Sequence, residues 1–359
     1  MRDGKVAFAV VGCGVIGPFH TKCIDACERA TLVALCDVEK DKADKLAAEH
    51  GGDIATHADY RRMLDAEGDV DVVCVCTPSG IHWKVACAVA DRGRHVLCEK
   101  PLDITTEHMD AMIAACRDAG VRLGCILQRR TYPASRKVRQ MLREGRIGRL
   151  VLCDSYQKYY RSPAYYESAG WRGTWELDGG GALMNQAVHG IDLTQFLVGD
   201  VARVFAYAGH LVRDVEVEDT CVAVLTFANG AMGTLTGTTS VTPGFTCKHE
   251  IHGENGTIIL TDHGIREVYV AGEQAGIAEK LDPAEYAPEE GDAEISATAD
   301  PKNIPSKGHA IQIADMAAAV LEDREPMVPG TEARKAVEVI LAIYESARTG
   351  REVHLRHDA

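Results

Sequence analysis

Two stretches of this 359-residue chain carry side chains able to do chemistry. In VLCEKPLD, residues 96–103, an apolar run passes directly into an acid, a lysine and a proline. Lys100 either closes an ordinary strand at the surface or holds an ammonium over a reaction. The second stretch is DGGGALMNQAVHGIDL, residues 178–193. Asn185, His189 and Asp192 recur there at i, i+4 and i+7, which at 100° per residue predicts one helix face within about 60°. An imidazole titrates near neutrality and is the first choice of general base. Lys100 is the competing base, because burial beside a cation lowers an ammonium's pKa. An amide can orient a hydroxyl but cannot take its proton, and Asp192 either binds a hydroxyl or holds His189 in one tautomer. Gly179, Gly180 and Gly181 permit close approach by a ligand or another backbone. The competing reading is a helix whose polar face looks at water.

A third pattern supplies a partner for that chemistry. VAFAVVGCGVIGPFH places Gly12, Gly14 and Gly17 in a GxGxxG turn after a strand and before a helix, with Val15 and Ile16 inside the turn. Such glycines let backbone N–H groups approach a pyrophosphate at the helix N-terminus. Asp37 ends the next strand 20 residues beyond Gly17, where a carboxylate accepts hydrogen bonds from both ribose hydroxyls. A 2′-phosphate would meet that charge, and no arginine stands beside it, so NAD is favoured over NADP. The alternative is a packing turn with Asp37 as a helix cap. VCTPSGIH ends a later strand at Thr77 and Pro78, and LCEKP ends the next. Ligands lie beyond the carboxyl ends of strands in a doubly wound sheet, so both turns border the cofactor and Lys100 is delivered to it.

The elements that must position these residues change character along the chain. Through residues 1–125, near-continuous apolar runs (VAFAVVG, TLVALCD, DVVCVCT, HVLCE) alternate with helical patterns such as DKADKLAAEHG and IHWKVACAVADRG. This predicts an α/β domain with a doubly wound parallel sheet. From 126 to 359 the rhythm predicts an α+β domain with a large, mainly antiparallel sheet. Its helices are expected near 133–144, from about 186, near 308–323 and near 331–348. FANGAMG and HGENGTI carry the Asn-Gly signal of tight hairpins.

Composition narrows the partners. A net charge of -14 disfavours nucleic acid and anionic membrane, and no segment reaches the ~20 apolar residues of a membrane span. Residues 273–303 hold nine acids against two lysines and read as a solvated excursion. Thirteen cysteines without a CxxC fit reduced thiols in a cytoplasmic protein. His20, Cys23 and Cys27 could share a helix face, but no partner cluster accompanies them, so no metal is expected.

Taken as a set, the glycine turn, CTPSGIH, EKP and the glycine-rich segment ending in N-x-x-x-H resemble the glucose–fructose oxidoreductase/inositol dehydrogenase (Gfo/Idh/MocA) family. The resemblance extends to GHAIQIADMAAAV and EARKAVEVILAIYESARTG near the end. It implies a dinucleotide-binding domain followed by an open-sheet domain that joins subunits, hence a homodimer or homotetramer. It implies NAD contacts from Gly12, Gly14, Val15, Ile16, Gly17, Asp37, Thr77, Pro78, His82, Glu99, Lys100, Gln128, Trp171 and Arg172. Lys100, His189 and Asn185 would form the catalytic group, and Lys100, Tyr160, Asn185, His189 and Asp192 would meet the substrate. Many members carry aspartate where this chain has Asn185, and the asparagine form resembles branches acting on sugar nucleotides.

Seven of the 20 aromatic residues fall between Tyr156 and Trp175, offering ring faces to a pyranose, with packing as the bland use of about half. The expected activity is hydride transfer between a secondary hydroxyl of a sugar, sugar nucleotide or cyclic polyol and nicotinamide. Its rivals are reduction of a double bond, glycoside cleavage through a transient ketone, and a non-catalytic NAD sensor.

Overall fold

The computed structural model describes residues 1–2, 4–51, 53–272, 278–286 and 306–355. Two compact units divide the chain, Met1–Gln128 with Ser306–Arg334, and Arg129–Pro305 with Lys335–Ala359.

In the first unit, strands β1 (Val6–Val11), β2 (Ala30–Cys36), β3 (Ala55–His57), β4 (Val72–Val75), β5 (His95–Cys98) and β6 (Leu123–Cys125) form one parallel sheet in the order 3-2-1-4-5-6. Every residue of β1 is buried, which is why the strand reads as an unbroken apolar run. Helices α1 (Gly17–Asp25), α2 (Lys40–His50), α3 (Tyr60–Ala66), α4 (His82–Ala90) and α5 (Thr106–Asp118) make the crossovers. Asp59 caps α3 by accepting from the N–H groups of Arg61 and Arg62, and the Thr105 hydroxyl caps α5.

A boundary at residue 125 therefore needs correction, because residues 306–334 return to this unit. Ile313, Met316 and Ala317 of the helix Ser306–Leu321 share a core with Val6, Phe8 and Val10, and Gln312 donates to the Cys125 carbonyl at 2.8 Å. Burying that apolar face on β1 is what draws the late helix back.

The second unit opens with helix α6 (Pro133–Arg143), strand β7 (Leu150–Lys158) and the short helix α7 (Pro163–Glu167). Residues Ala182–Ala187 then turn as π-helix before helix α8 (Val188–Val198). The remaining strands are β8 (Val201–Gly209), β9 (Thr220–Phe227), β10 (Met232–Thr238), β11 (Lys248–Gly253), β12 (Gly256–Thr261), β13 (Gly264–Ala271), β14 (Ala278–Leu281) and β15 (Val353–His354). They form a nine-stranded sheet in the order 14-13-12-11-7-10-9-8-15, antiparallel throughout except for the parallel pair of β7 and β10. Both Asn-Gly signals fall at hairpins. Gly230 takes a positive φ of 87° while the Asn229 side chain accepts from Ala231 N–H, and Glu254–Asn255 join β11 to β12.

Burial alternates along β9, with Cys221, Ala223, Leu225 and Phe227 inward and Val222 and Val224 outward. Of the acidic stretch 273–303, only residues 278–286 are described, and there β14 pairs with β13 rather than leaving the sheet. Among the described residues no helix is long and apolar enough to cross a membrane.

Candidate active site

The glycine turn of the first unit is shaped by distinct constraints. Gly12 has a φ of 102°, and a Cβ there would lie 2.4 Å from the Cys76 carbonyl oxygen. A Cβ on Gly17 would lie 2.4 Å from the Gly12 carbonyl oxygen. These two let α1 close against β1 and β4. Gly14 is different. Nothing lies within 4 Å of a Cβ built on it, so the chain's own packing does not require glycine there. A backbone left bare there suits the close approach of a pyrophosphate. Ile16, at the N-cap of α1, supplies no side-chain cap. Pro18 has no N–H and those of Phe19 and His20 donate to the Ile16 carbonyl, so the Gly17 N–H is the one at the start of the helix left for an anion, and Val15 is exposed.

Asp37 leaves β2 with its carboxylate already oriented. It accepts from Cys13 N–H at 2.8 Å and from Glu39 N–H at 2.9 Å, one bond to each oxygen, leaving lone pairs for a diol. At the exit of β4, the Thr77 hydroxyl oxygen is buried with no partner among the described residues, beside Pro78. A bare backbone cradle, an anchored acid and an orphaned hydroxyl along one strand-end edge fit a dinucleotide.

His82 and Glu99 organise that edge. The His82 ring lies between two carbonyls, with Nδ1 2.9 Å from Pro101 O and Nε2 2.9 Å from Thr77 O. Its nitrogens are thus used to join the turns after β4 and β5, which makes it a strut for the cofactor edge. Glu99 is buried, and its Oε1 accepts from His20 Nε2 at 2.7 Å and His309 Nε2 at 3.2 Å. Its Oε2 accepts from Lys100 N–H at 3.2 Å. Burial alone would raise this carboxyl, but the two histidines outweigh it and hold it well below the usual carboxylate range. His20 therefore faces Glu99 and His309, a partner that helix periodicity could not supply. Lys100 is half-buried at the end of β5, and Gln128 is buried just beyond β6.

In the second unit the π-type turns break the even 100° advance that predicts a shared face for Asn185, His189 and Asp192. The Asn185 amide donates to Asp178 Oδ1 at 2.6 Å and accepts from Gln186 Nε2 at 3.3 Å. Asp192 is buried and held by Arg130, whose Nε and Nη2 approach its two oxygens at 2.9 and 2.6 Å. The carboxylate expected to meet a hydroxyl or His189 is thus neutralised by a guanidinium. His189 is half-buried in the first turn of α8. A Cβ on the following residue, Gly190, would lie 2.4 Å from Gln157 Nε2, so α8 sits tightly on β7.

Two of the three glycines before the π turn, Gly180 and Gly181, accommodate other parts of this unit. A Cβ on Gly181 would lie 1.9 Å from the Glu218 carbonyl oxygen, and one on Gly180 would lie 2.1 Å from the Tyr344 hydroxyl. The Glu218 carboxylate accepts from Gly181 N–H at 2.9 Å, Leu183 N–H at 2.8 Å and Tyr344 OH at 2.9 Å. Burial pushes this acid up to about 7 against those hydrogen bonds.

The aromatic segment divides by use. Tyr159 is buried in the core, Tyr166 bonds Thr239 through their hydroxyls at 2.8 Å, and Trp175 meets Tyr344 edge-on. The Arg172 guanidinium lies 4.3 Å from the Tyr165 ring centroid and 4.7 Å from that of Trp171, while its Nη1 donates to Tyr165 OH at 2.5 Å. Tyr160 lies under Arg213, 5.2 Å from ring centroid to guanidinium carbon. Glu218, Tyr344, Arg130 and His309 escape a reading by spacing, because each acts on residues more than 30 positions away in sequence.

The first unit is that of a dinucleotide-binding oxidoreductase. The model of the oxidoreductase family with an NAD-binding Rossmann fold matches residues 6–126, and that of the GFO/IDH/MocA C-terminal domain matches residues 135–259. The chain belongs to the Gfo/Idh/MocA family and is an NAD-dependent oxidoreductase. It is similar to the WlbA dehydrogenase of Bordetella pertussis in complex with NADH and UDP-GlcNAcA, at 32% identity, 100% of both chains and a TM-score of 0.86. Levoglucosan dehydrogenase in complex with NADH is 25% identical over 99% of this chain and 100% of that one, with a TM-score of 0.84. Inositol 2-dehydrogenase of Rhizobium meliloti is 25% identical over 260 residues, 70% of this chain and 74% of the relative.

Two outcomes follow from these geometries. Asp37→Ala should weaken NADH binding about tenfold, or about 1.4 kcal/mol, and narrow the preference over NADPH, read by fluorescence titration; unchanged affinity removes Asp37 from the ribose. Glu218 has a folded-state pKa above its unfolded value of 4.5. Its stabilisation is therefore complete below that value and is lost as pH rises through about 7, a change of about 3 kcal/mol. The wild-type melting temperature should fall across that window, and Glu218→Gln should flatten the slope; parallel slopes refute the assignment.

Proposed function

We propose that this protein oxidises a secondary hydroxyl of a sugar nucleotide to a ketone. The observation that carries the proposal is its full-length likeness to a dehydrogenase whose complex holds NADH and UDP-GlcNAcA. Asn185 supports the same branch, since an amide there orients a hydroxyl without competing for its proton. Bound NAD+ supplies the hydride acceptor for the carbinol carbon. His189 takes the hydroxyl proton as general base. Lys100 donates a hydrogen bond to the same oxygen and stabilises the negative charge that develops as the proton leaves. Asn185 holds a neighbouring hydroxyl, its own amide fixed by Asp178 and Gln186. Glu99 steadies Lys100 through its backbone N–H. The products are ketone, NADH and one proton, so NADH accumulates one for one with ketone, unlike a double-bond reduction or a glycoside cleavage that returns its hydride.

Lys100→Met and His189→Ala should each lower kcat by about 10²-fold or more while NAD affinity stays within about threefold. Stopped-time product analysis with NADH absorbance checks this, and wild-type turnover in either variant removes that residue from the mechanism.

The outer face of the nine-stranded sheet supports a subunit interface. Tyr207 (74% exposed), Val222 (49%), Val224 (56%) and Met232 (59%) lie along adjacent strands in register on that face. Such a contiguous apolar face favours burial against a second copy. Val224→Asp with Tyr207→Asp should reduce the assembly to monomers by light scattering, and an unchanged mass overturns the interface.

A further inference from the structure

Two guanidinium groups in the second unit, those of Arg172 and Arg213, have no carboxylate partner among the described residues. The Nε of each is buried without a hydrogen-bond partner among them. The Ser240 hydroxyl is buried and unpartnered as well. The segments that carry them run beside one another. Glu216 N–H donates to Gly173 O at 3.2 Å, which runs the segment after Arg213 beside Arg172. A Cβ on Gly173 would lie 3.0 Å from Val215 and 3.3 Å from Tyr166. Tyr160, under the Arg213 guanidinium, bridges to Ser240 through the backbone, and Tyr166 packs edge-on against Tyr165, under Arg172. Arg161, buried and 5.5 Å from the Tyr165 ring centroid, adds a third guanidinium.

The nearby carboxylates are engaged elsewhere. Asp178 accepts from Gly173 N–H at 2.9 Å and from the Asn185 amide, and Asp219 accepts from the backbone N–H of Arg213 at 2.7 Å, so among the described residues neither pairs with the guanidinium of Arg172 or Arg213. Buried polar atoms in native proteins are almost always satisfied, and both residues are half-buried with the Nε shut from water. A guanidinium fork matches the paired oxygens of a carboxylate or phosphate, and tyrosine faces suit a pyranose.

We propose that Arg172, Arg213 and the Ser240 hydroxyl form an oxyanion subsite for the substrate, lined by Tyr160 and Tyr165. The inference rests on the sugar-nucleotide reading above and adds that the substrate is held by an acidic group. The oxyanion is a carboxylate on the sugar ring or the diphosphate of the nucleotide, and two substrates separate these sources.

The test measures kcat and KM with NAD+ for UDP-GlcNAcA and UDP-GlcNAc, which share a diphosphate and differ in the ring carboxylate. Wild type is compared with Arg213→Gln and Arg213→Lys, with calorimetric titration of each ligand into the NADH-loaded protein. For a ring carboxylate, Arg213→Gln raises KM for UDP-GlcNAcA tenfold or more, leaves KM for UDP-GlcNAc within twofold and leaves kcat and NADH affinity unchanged. For the diphosphate, KM for both rises together at constant kcat. In either case Arg213→Lys recovers part of the loss, because the charge returns without the fork.

The subsite is overturned if Arg213→Gln leaves both KM values within twofold, if its effect falls on kcat or NADH affinity, or if neither acidic ligand binds wild type. If a neutral polyol such as levoglucosan or inositol is oxidised while neither acidic ligand binds, the subsite is overturned and the dehydrogenase reading stands. That reading falls only when no sugar, neutral or acidic, yields NADH.

Discussion

The ionised carboxylate of Glu99 is the constraint on which the first unit turns. One oxygen gathers His20 from the helix behind the glycine turn and His309 from a helix some 200 residues later, and the other takes the N–H of Lys100. A buried charge is tolerated only when such donors surround it. The arrangement ties the nucleotide turn and the lysine strand end to a late helix in one hydrogen-bonded group. His82 performs a related task one strand over, joining the turns after β4 and β5 through their carbonyls. The edge that meets the cofactor is thus fixed by residues with little need to touch it.

The second unit uses a buried acid for a similar purpose with the opposite electrostatic outcome. Glu99 is kept ionised by two histidines, whereas Glu218 receives only neutral donors and is raised by burial. Its oxygens seize the first N–H groups of the π-type segment, and the glycines there are demanded by the close approach of Glu218 and Tyr344. Gly180 and Gly181 make room for a tyrosine hydroxyl and the protein's own backbone rather than for a ligand.

Much of the fold was legible because parallel strands buried on both faces write themselves as apolar runs, and GxGxxG with an acid at the next strand end is a local pattern. Strands β3 and β6 were not legible, since three residues carry no period. The return of residues 306–334 was hidden because an amphipathic helix does not say which sheet it covers. In the candidate site, Asn185 and His189 stood out by spacing, but Arg130 as the holder of Asp192, and the Glu218–Tyr344 pair, depend on contacts between distant positions. Glu218 lies in VRDVEVEDT, among charged residues that carry no signal of burial. Only tertiary packing turns it inward.

The π-type segment from Ala182 to Ala187 has one further implication. A wide turn holds one residue more than an α turn, so the segment takes up an extra residue ahead of the regular helix that follows. Because α8 is clamped to β7 through Gly190, residues upstream of His189 can be exchanged while the imidazole stays where it is. A change of side chain at position 185 is thereby separated from the placement of the imidazole that follows it.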